Sequence, residues 1–269
     1  MKVAFITAIY GNGYESSCKP FVLQTIPCDF ICFTNSENLR TNNWIVDRNP
    51  YHLTHPSPLD DGKCLNSVHM NTHTFNISKY YKQAFQNIPR LSEYDVVIWI
   101  DGTIEIINQF TAEWMVELFS SPDVAVVSWE HDWRGGCLIA EVRDSQSYDR
   151  YCSTYWFGQH QPKQDVNEQY RKCIREGFDE TLWFRIDPKR KNLGVWVTCF
   201  VAFDMRKPKS REFLTEWYSQ VLYQSTQDQI GFPIAAQKTN TIPYTLPDER
   251  IHGKTHTNTS LYRKHDHGK

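Results

Sequence analysis

No stretch of the 269-residue sequence holds eighteen consecutive apolar residues, so a membrane-spanning helix is not expected. The apolar opening, Val3 to Ile9, is short and meets Gly11-Asn12-Gly13 without a small-residue cleavage site, so no signal peptide or anchor is expected. Charge of one sign is also missing: 29 Lys+Arg stand against 31 Asp+Glu, which leaves no field to draw nucleic acid or a membrane surface. Eight cysteines with no Cys-x-x-Cys pair exclude a dense disulfide framework and disfavour structural zinc. Reduced, mostly buried thiols and a cytoplasmic location follow as expectations, and the sequons at Asn76 and Asn258 then carry little weight. No Gly-Lys-Ser/Thr follows the Gly-Asn-Gly turn and no Gly-x-Gly-x-x-Gly occurs, so neither a phosphate loop nor a dinucleotide fingerprint is present. Without internal repeats or linkers, residues 1–255 are expected to form one domain, followed by a polar, His-rich tail over 256–269. From His252 on, partial disorder is expected.

What the sequence has is buried-strand signal. Val96 to Ile100 is an uninterrupted apolar, β-branched run, the pattern of a strand covered on both faces. It stops at Asp101-Gly102, and in open α/β sheets ligands bind outside the carboxyl ends of the strands. Lys2 to Tyr10 and Asp29 to Thr34 predict two more such strands, with Asn43 to Asp47 as a third. Thr7, Thr34 and Asp101 would then line one sheet edge, able to receive a nucleotide or doing no more than capping strands. Ile77, Tyr80, Tyr81, Ala84, Phe85 and Ile88 recur at helical spacing and predict a helix from Asn76. Lys79 and Lys82 share a face of it, placed to meet a diphosphate or to stay solvated. Further on, Thr111 and Ser210 read as helix N-caps, Val124 to Trp129 and Val195 to Asp204 as strands, and Val166 to Ile174 as a helix that Gly177 ends. Gln227 to Pro233 leads into a short helix, and Thr241 to Ile251 into a last extended segment. His69-x-x-x-His73 has metal-like spacing but lacks the Glu that a zinc-protease helix carries after its first His.

Three chemistries compete for the Asp101 turn. Asp101-Gly102-Thr103 matches the tail of the Asp-x-Asp-Gly-Thr phosphatase motif, but the nucleophile's position holds Trp99, and indole cannot attack phosphorus. A non-catalytic carbohydrate-binding module would suit an aromatic content of 14%, yet leaves an Asp at a buried strand end unexplained. A nucleotide-sugar glycosyltransferase accounts for both. Its leaving diphosphate gains negative charge, which a divalent cation held by one or two carboxylates can neutralise, and its acceptor hydroxyl must lose a proton to a nearby base.

The run Ile88-Pro89 with Glu93-Tyr-Asp-Val-Val-Ile-Trp-Ile-Asp-Gly102, together with Thr226-Gln-Asp-Gln-Ile-Gly-Phe-Pro233, resembles the glycosyltransferase-like domain of bacterial proteins and of plant turgor-regulation and mucilage proteins. Weaker echoes are Thr7-Ala8-Ile9-Tyr10-Gly11, Phe30 to Thr34, Lys79 with Lys82, His131, and Gly194 to Phe203. The compact chain with this ending is also similar to the chlorovirus glycosyltransferases that build capsid-protein glycans, so a virus protein moving xylose from UDP-xylose is the nearest expectation. The resemblance covers residues 2 to 238 or so. It implies a GT-A-like, Rossmann-like α/β fold: a mostly parallel sheet flanked by helices, with nucleotide-sugar donor and Mn²⁺ (or Mg²⁺) at the strand ends.

By the same resemblance, Asp101 stands at the Asp-x-Asp metal motif, with Thr103 where a second Asp would be. Glu105 is an alternative companion. A late histidine, His252 with His256 as fallback, would complete the metal site. Thr7, Ala8, Tyr10, Thr34, Lys79, Lys82, Trp99, Ile100, Asp101 and Gly102 become the nucleotide-sugar contacts. Asp228 is the candidate base, although its Asp-Gln pair with Gln229 also occurs in retaining transferases and leaves the stereochemistry open. His131, Arg134, Trp196 and Gln229 are candidate sugar or acceptor contacts, while Trp129, Trp156 and Trp183 suit core packing. A glycan or glycoprotein acceptor is implied, with no nucleic acid and no membrane span.

Overall fold

Alternation along the strands builds two large cores, one on each face of a single large sheet, and a smaller third cluster gathers around Leu138, Val142, Tyr151 and Ile230. In the computed structural model, which describes residues 1–11, 15–131, 134–186, 194–246 and 259–267, β1 spans Val3–Ile9, β2 Cys28–Thr34 and β3 Ile45–Asp47. Helices α1 (Tyr51–Thr54) and α2 (Thr74–Gln83) precede β4 (Val96–Ile100), β5 (Ile104–Ile106), α3 (Thr111–Leu118) and β6 (Val126–Glu130). Then come α4 (Leu138–Ser145), α5 (Asp149–Cys152), the hairpin β7 (Tyr155–Trp156) and β8 (Gln159–His160), α6 (Val166–Arg175) and α7 (Leu182–Ile186). The chain continues through β9 (Trp196–Asp204), α8 (Pro208–Tyr223), α9 (Asp228–Lys238), β10 (Tyr244–Leu246) and β11 (Tyr262–Lys264).

The main sheet has seven strands in the order β10-β6-β9-β4-β1-β2-β3. Strand β9 runs antiparallel to both its neighbours and every other pairing is parallel. This is the mostly parallel α/β sheet, flanked by helices, that the apolar runs imply. Because successive side chains point to opposite faces, Ala4, Ile6, Ala8, Val97 and Trp99 join Tyr80, Tyr81, Trp217 and Phe232 from α2, α8 and α9. Val3, Phe5, Ile9, Val96, Ile98 and Ile100 pack on the other face with Met115 of α3 and with Tyr262. Asp101 continues the phase of Trp99, towards the α2, α8 and α9 side.

Several boundaries differ from the sequence reading. Helix α2 begins at Thr74 rather than Asn76, because the His73 side chain accepts from Phe75 N and caps it two residues earlier. Thr111 lies inside α3, its hydroxyl donating back to Asn108 O at 2.8 Å. Ser210 lies inside α8, which starts at Pro208, and bonds Ala125 O at 2.9 Å. Within the polar tail, β11 pairs antiparallel with β5, Tyr262 against Ile106 and Lys264 against Ile104, and Leu261 and Tyr262 are buried. These two apolar residues seat that segment on the second core. All eight cysteines are free thiols. Among the described residues no helix is long and apolar enough to cross a membrane.

Candidate active site

The carboxyl ends of β1 and β4, the start of β9, one face of α2 and the first turn of α9 meet around a cavity of about 270 Å³. Antiparallel β9 enters at the edge where the parallel strands leave. Asp101 N bonds Cys199 O at 2.9 Å there, and Thr198 faces the cavity beside it.

Asp228, the first residue of α9, sits at the centre. Its Oδ2 takes Lys79 Nζ at 2.8 Å and Lys82 Nζ at 2.6 Å, and its Oδ1 accepts from the Thr198 hydroxyl at 3.0 Å. Its backbone carbonyl accepts from Trp217 Nε1 at 2.8 Å. All three charged side chains are less than a tenth exposed. Burial alone would raise the Asp228 pKa, but the two ammonium groups outweigh it and hold the carboxyl well below the usual carboxylate range. Burial and the Lys82 charge push Lys79 down against the pull of Asp228. Burial acts on Lys82 too, and there Asp101 and Asp228 together overcome it and raise its pKa.

Lys82 also reaches Asp101 Oδ1 at 3.3 Å, and the Trp99 indole N–H donates to the same oxygen at 2.8 Å. That second bond is possible because residues two apart on a strand share a face. The Asp101 side chain is 41% exposed, and its Oδ2 receives no hydrogen bond among the described residues. One oxygen is thus held while the other is left for a ligand.

The preceding segment is locked from behind. Thr226 N and its hydroxyl both donate to Gln164 Oε1. Gln227 accepts from the Tyr151 hydroxyl at 2.8 Å and donates to Glu141 and Ser145 at 2.6 and 2.7 Å. Arg134 pairs with Glu141 at 2.5 Å and with Asp144 at 2.8 Å, so its charge is balanced inside the wall. The first turn of α9 therefore presents Asp228 and Gln229 from a fixed base.

Of the residues singled out in the sequence, Ala8, Tyr10, Lys79, Lys82, Trp99, Asp101, Gly102, Thr103, His131, Arg134, Asp228 and Gln229 line the cavity. Four do not. Thr7 is buried in β1, where its hydroxyl has no hydrogen-bond partner among the described residues. Thr34 accepts from Ser36 N at 3.0 Å, a local cap on the end of β2. Ile100 packs in the core, and Trp196 is buried with its indole N–H on Thr245 Oγ1 at 2.9 Å. His252 and His256 lie outside the described residues. Glu105 is away from the cavity and pairs with His265 at 2.6 Å.

Sequence reasoning missed Glu15, Phe75, Arg150, Thr198, Lys264 and His267, all of which line the cavity. Thr198 had a signal, being the one polar residue in the strand before Asp204 closes it. Lys264 and His267 had none, since their place depends on β11 folding back, after which His267 Nδ1 meets Glu15 Oε1 at 2.8 Å. The cavity's formal charges are five cations (Lys79, Lys82, Arg134, Arg150, Lys264) against four carboxylates (Glu15, Asp101, Glu141, Asp228). Among the described residues no three His, Cys, Asp or Glu side chains converge as a metal cluster.

No family model and no curated protein sequence matches the chain. Among solved structures it is similar to mouse xyloside xylosyltransferase 1 in its apo form, with 10% identity and a TM-score of 0.47 over 91% of this chain and 85% of that one. It is similar to the apo WbbM bifunctional glycosyltransferase, with 11% identity and a TM-score of 0.44 over 91% of this chain and 38% of that much longer one. The mannosyltransferase Ktr4p from S. cerevisiae aligns at 10% identity and a TM-score of 0.38 over 87% of this chain and 65% of that one.

Proposed function

We propose that the protein is a glycosyltransferase that takes a sugar from a nucleoside-diphosphate donor, UDP-linked and with xylose as the nearest candidate sugar, and passes it to a glycan or glycoprotein hydroxyl. The observation that carries this reading is the pair of buried lysines, Lys79 and Lys82, held against two carboxylates at the strand ends. Burying two ammonium groups costs several kcal/mol each unless partners offset it, and solvated lysines would serve a merely structural surface. A diphosphate is the ligand whose charge suits two adjacent ammonium groups.

Donor binding and base chemistry are linked through these lysines. A carboxylate held by two cations is a poor proton acceptor. A bound diphosphate competes for both ammonium groups, and the proton affinity of Asp228 rises as they turn to the phosphates. The acceptor oxygen then bonds to the anomeric carbon, the bond from that carbon to the diphosphate oxygen breaks, and the acceptor proton goes to Asp228. Lys79 and Lys82 stay with the departing diphosphate and stabilise its charge.

The residues present fit a divalent cation, Mn²⁺ or Mg²⁺, because Asp101 keeps one carboxylate oxygen unengaged beside Thr103 on the cavity wall. Such an ion takes few protein ligands and fills its sphere with phosphate and water oxygens. Asp101 would hold it, with Thr103 and His252 as candidate companions, and it would supply further neutralisation of the leaving group.

The test is a thermal-shift panel of nucleotide sugars with and without Mn²⁺. One donor class is expected to raise Tm, as a ligand that binds only the folded state must, and Asp101→Ala should remove the metal-dependent share. No shift with any donor, or an Asp101→Ala protein that still responds to metal, would overturn the reading.

A further inference from the structure

We propose that Trp99 decides which divalent cation the site accepts: its indole N–H occupies one oxygen of Asp101, so the carboxylate can hold a metal only through the other. The proposal rests on the glycosyltransferase reading above, with Asp101 as the protein anchor of the metal. Trp99 is 3% exposed and fixed in β4, within the core that the sheet shares with α2, α8 and α9. Residues two apart along a strand face the same side, which puts Trp99 Nε1 2.8 Å from Asp101 Oδ1. Asp101 Oδ2 receives no hydrogen bond among the described residues.

The fold itself does not demand this bond. A phenylalanine at position 99 would supply most of the same apolar surface. Trp129 and Trp183 are also buried, and their indole N–H groups have no hydrogen-bond partner among the described residues. The polar edge of Trp99 is instead aimed at a carboxylate that stands 41% exposed on the cavity wall. Lys82 reaches the same Asp101 oxygen at 3.3 Å, but it is a partner that a ligand can remove. Its ammonium lies 2.6 Å from Asp228 as well and faces the cavity, where a diphosphate competes for it. A lysine stem is flexible enough to turn, whereas an indole packed in the core stays where it is. With donor in place, Trp99 is the group that still holds Oδ1.

Coordination chemistry then separates the ions. Mg²⁺ binds through a single carboxylate oxygen and fills a tight octahedron with phosphate and water oxygens, and Mn²⁺ accepts the same oxygen set. Ca²⁺ is larger, takes more ligands and gains from gripping a carboxylate by both oxygens. To do so at Asp101 it must break the N–H···O⁻ bond and strand a buried donor, a cost that the smaller ions avoid. Trp99 is therefore a positioning residue: it acts on the metal through Asp101 and selects against Ca²⁺.

The experiment titrates Mn²⁺, Mg²⁺ and Ca²⁺ calorimetrically into UDP-saturated wild type and Trp99→Phe, with UDP alone as the blank. Wild type is expected to bind Mn²⁺ and Mg²⁺ more tightly than Ca²⁺. In Trp99→Phe the Ca²⁺ affinity should rise about tenfold relative to that of Mn²⁺, equivalent to about 1.4 kcal/mol. A second measurement needs no variant. In the proton NMR spectrum of wild type, the indole N–H signal that trace Mn²⁺ broadens first should keep its position and its slow exchange with water when UDP and Mg²⁺ bind. Equal affinities for Ca²⁺ and Mn²⁺ in wild type, an unchanged ratio in Trp99→Phe, or an indole signal that loses its protection would each overturn the proposal. If UDP binds but no ion adds heat beyond the blank, Asp101 is not a metal anchor and the proposal falls with it. A protein that binds neither UDP nor any nucleotide sugar is a separate result, which removes the glycosyltransferase reading itself.

Discussion

A carboxylate buried between two ammonium groups is stable only while both signs are present, which makes Asp228 the most sensitive single residue in the cavity. Asp228→Asn keeps the shape and removes the charge, leaving Lys79 and Lys82 facing each other. The ligand-free variant is expected to lose about 3 kcal/mol of stability, as when one partner of a buried ion pair is removed. UDP should then raise its Tm more than it raises that of wild type, because the phosphates replace the lost anion, while sugar transfer falls on the order of 100-fold or more with loss of the base. The pH dependence has a definite sign. The folded-state pKa of Asp228 is depressed, so its contribution is complete above the unfolded carboxylate value of about 3.9 and is lost as pH falls below that towards the folded value. Scanning calorimetry from pH 7 to pH 3 should show the wild-type advantage constant at first and narrowing below about pH 4. A UDP shift smaller in Asp228→Asn than in wild type would mean that Asp228 binds donor directly. At this scale the sequence is informative at Asp101, where a carboxylate ends an apolar run, while Asp228 stands out only through the resemblance carried by Thr226 to Pro233. It could not show that Lys79 and Lys82 both reach one Asp228 oxygen, since that depends on how α2 and α9 approach each other.

Among the elements, β9 decides the site's composition. Its apolar run announced a strand, but nothing in a uniform run reveals direction, and only the antiparallel insertion between β4 and β6 brings Thr198 and the Cys199 carbonyl to the edge that ends in Asp101. Gly194 sets its entry. Its φ is +147°, and a Cβ at that position would sit 2.3 Å from the Gly136 carbonyl oxygen. Gly194→Ala should therefore cost about 2 kcal/mol or more and displace Val195, whose carbonyl holds His131 N at 2.8 Å. Gly177 at the end of α6 has a φ of +95° but open space around it. Gly177→Ala should carry only the smaller cost of backbone strain and leave donor affinity unchanged. Measuring Tm and donor Kd for the two variants separates strain from clash: equal losses in both, with donor affinity intact, would show that β9's entry is not tied to the cavity. The same limit on what a run can say explains the helix starts. Periodicity marks a buried face, whereas the true N-terminus of α2 is set by a His73 cap that the pattern does not contain.

The whole molecule ties its ends to its centre. Strand β11 brings the C-terminal segment across β5, so Lys264 and His267 reach a cavity whose other walls come from residues 8 to 229. No local signal marks this, because a short, mostly polar segment acquires structure only from the surface that receives it. Tyr262 is the fastening: it is fully buried, stacks on Phe200 at 5.6 Å and meets Trp129 edge-on at 6.4 Å. Tyr262→Ala should lower stability by about 3 kcal/mol, the range for removing a buried aromatic ring, and by unseating β11 should also weaken donor binding about tenfold. Tyr218 is a matched comparison, equally buried but on the opposite face of the sheet. Tyr218→Ala should lower Tm by a similar amount and leave donor Kd within twofold of wild type at a temperature where both variants are folded. The loss of affinity in one variant and not in the other separates a segment that completes the cavity from one that only adds stability. If both variants keep wild-type affinity, Lys264 and His267 line the cavity without touching the donor.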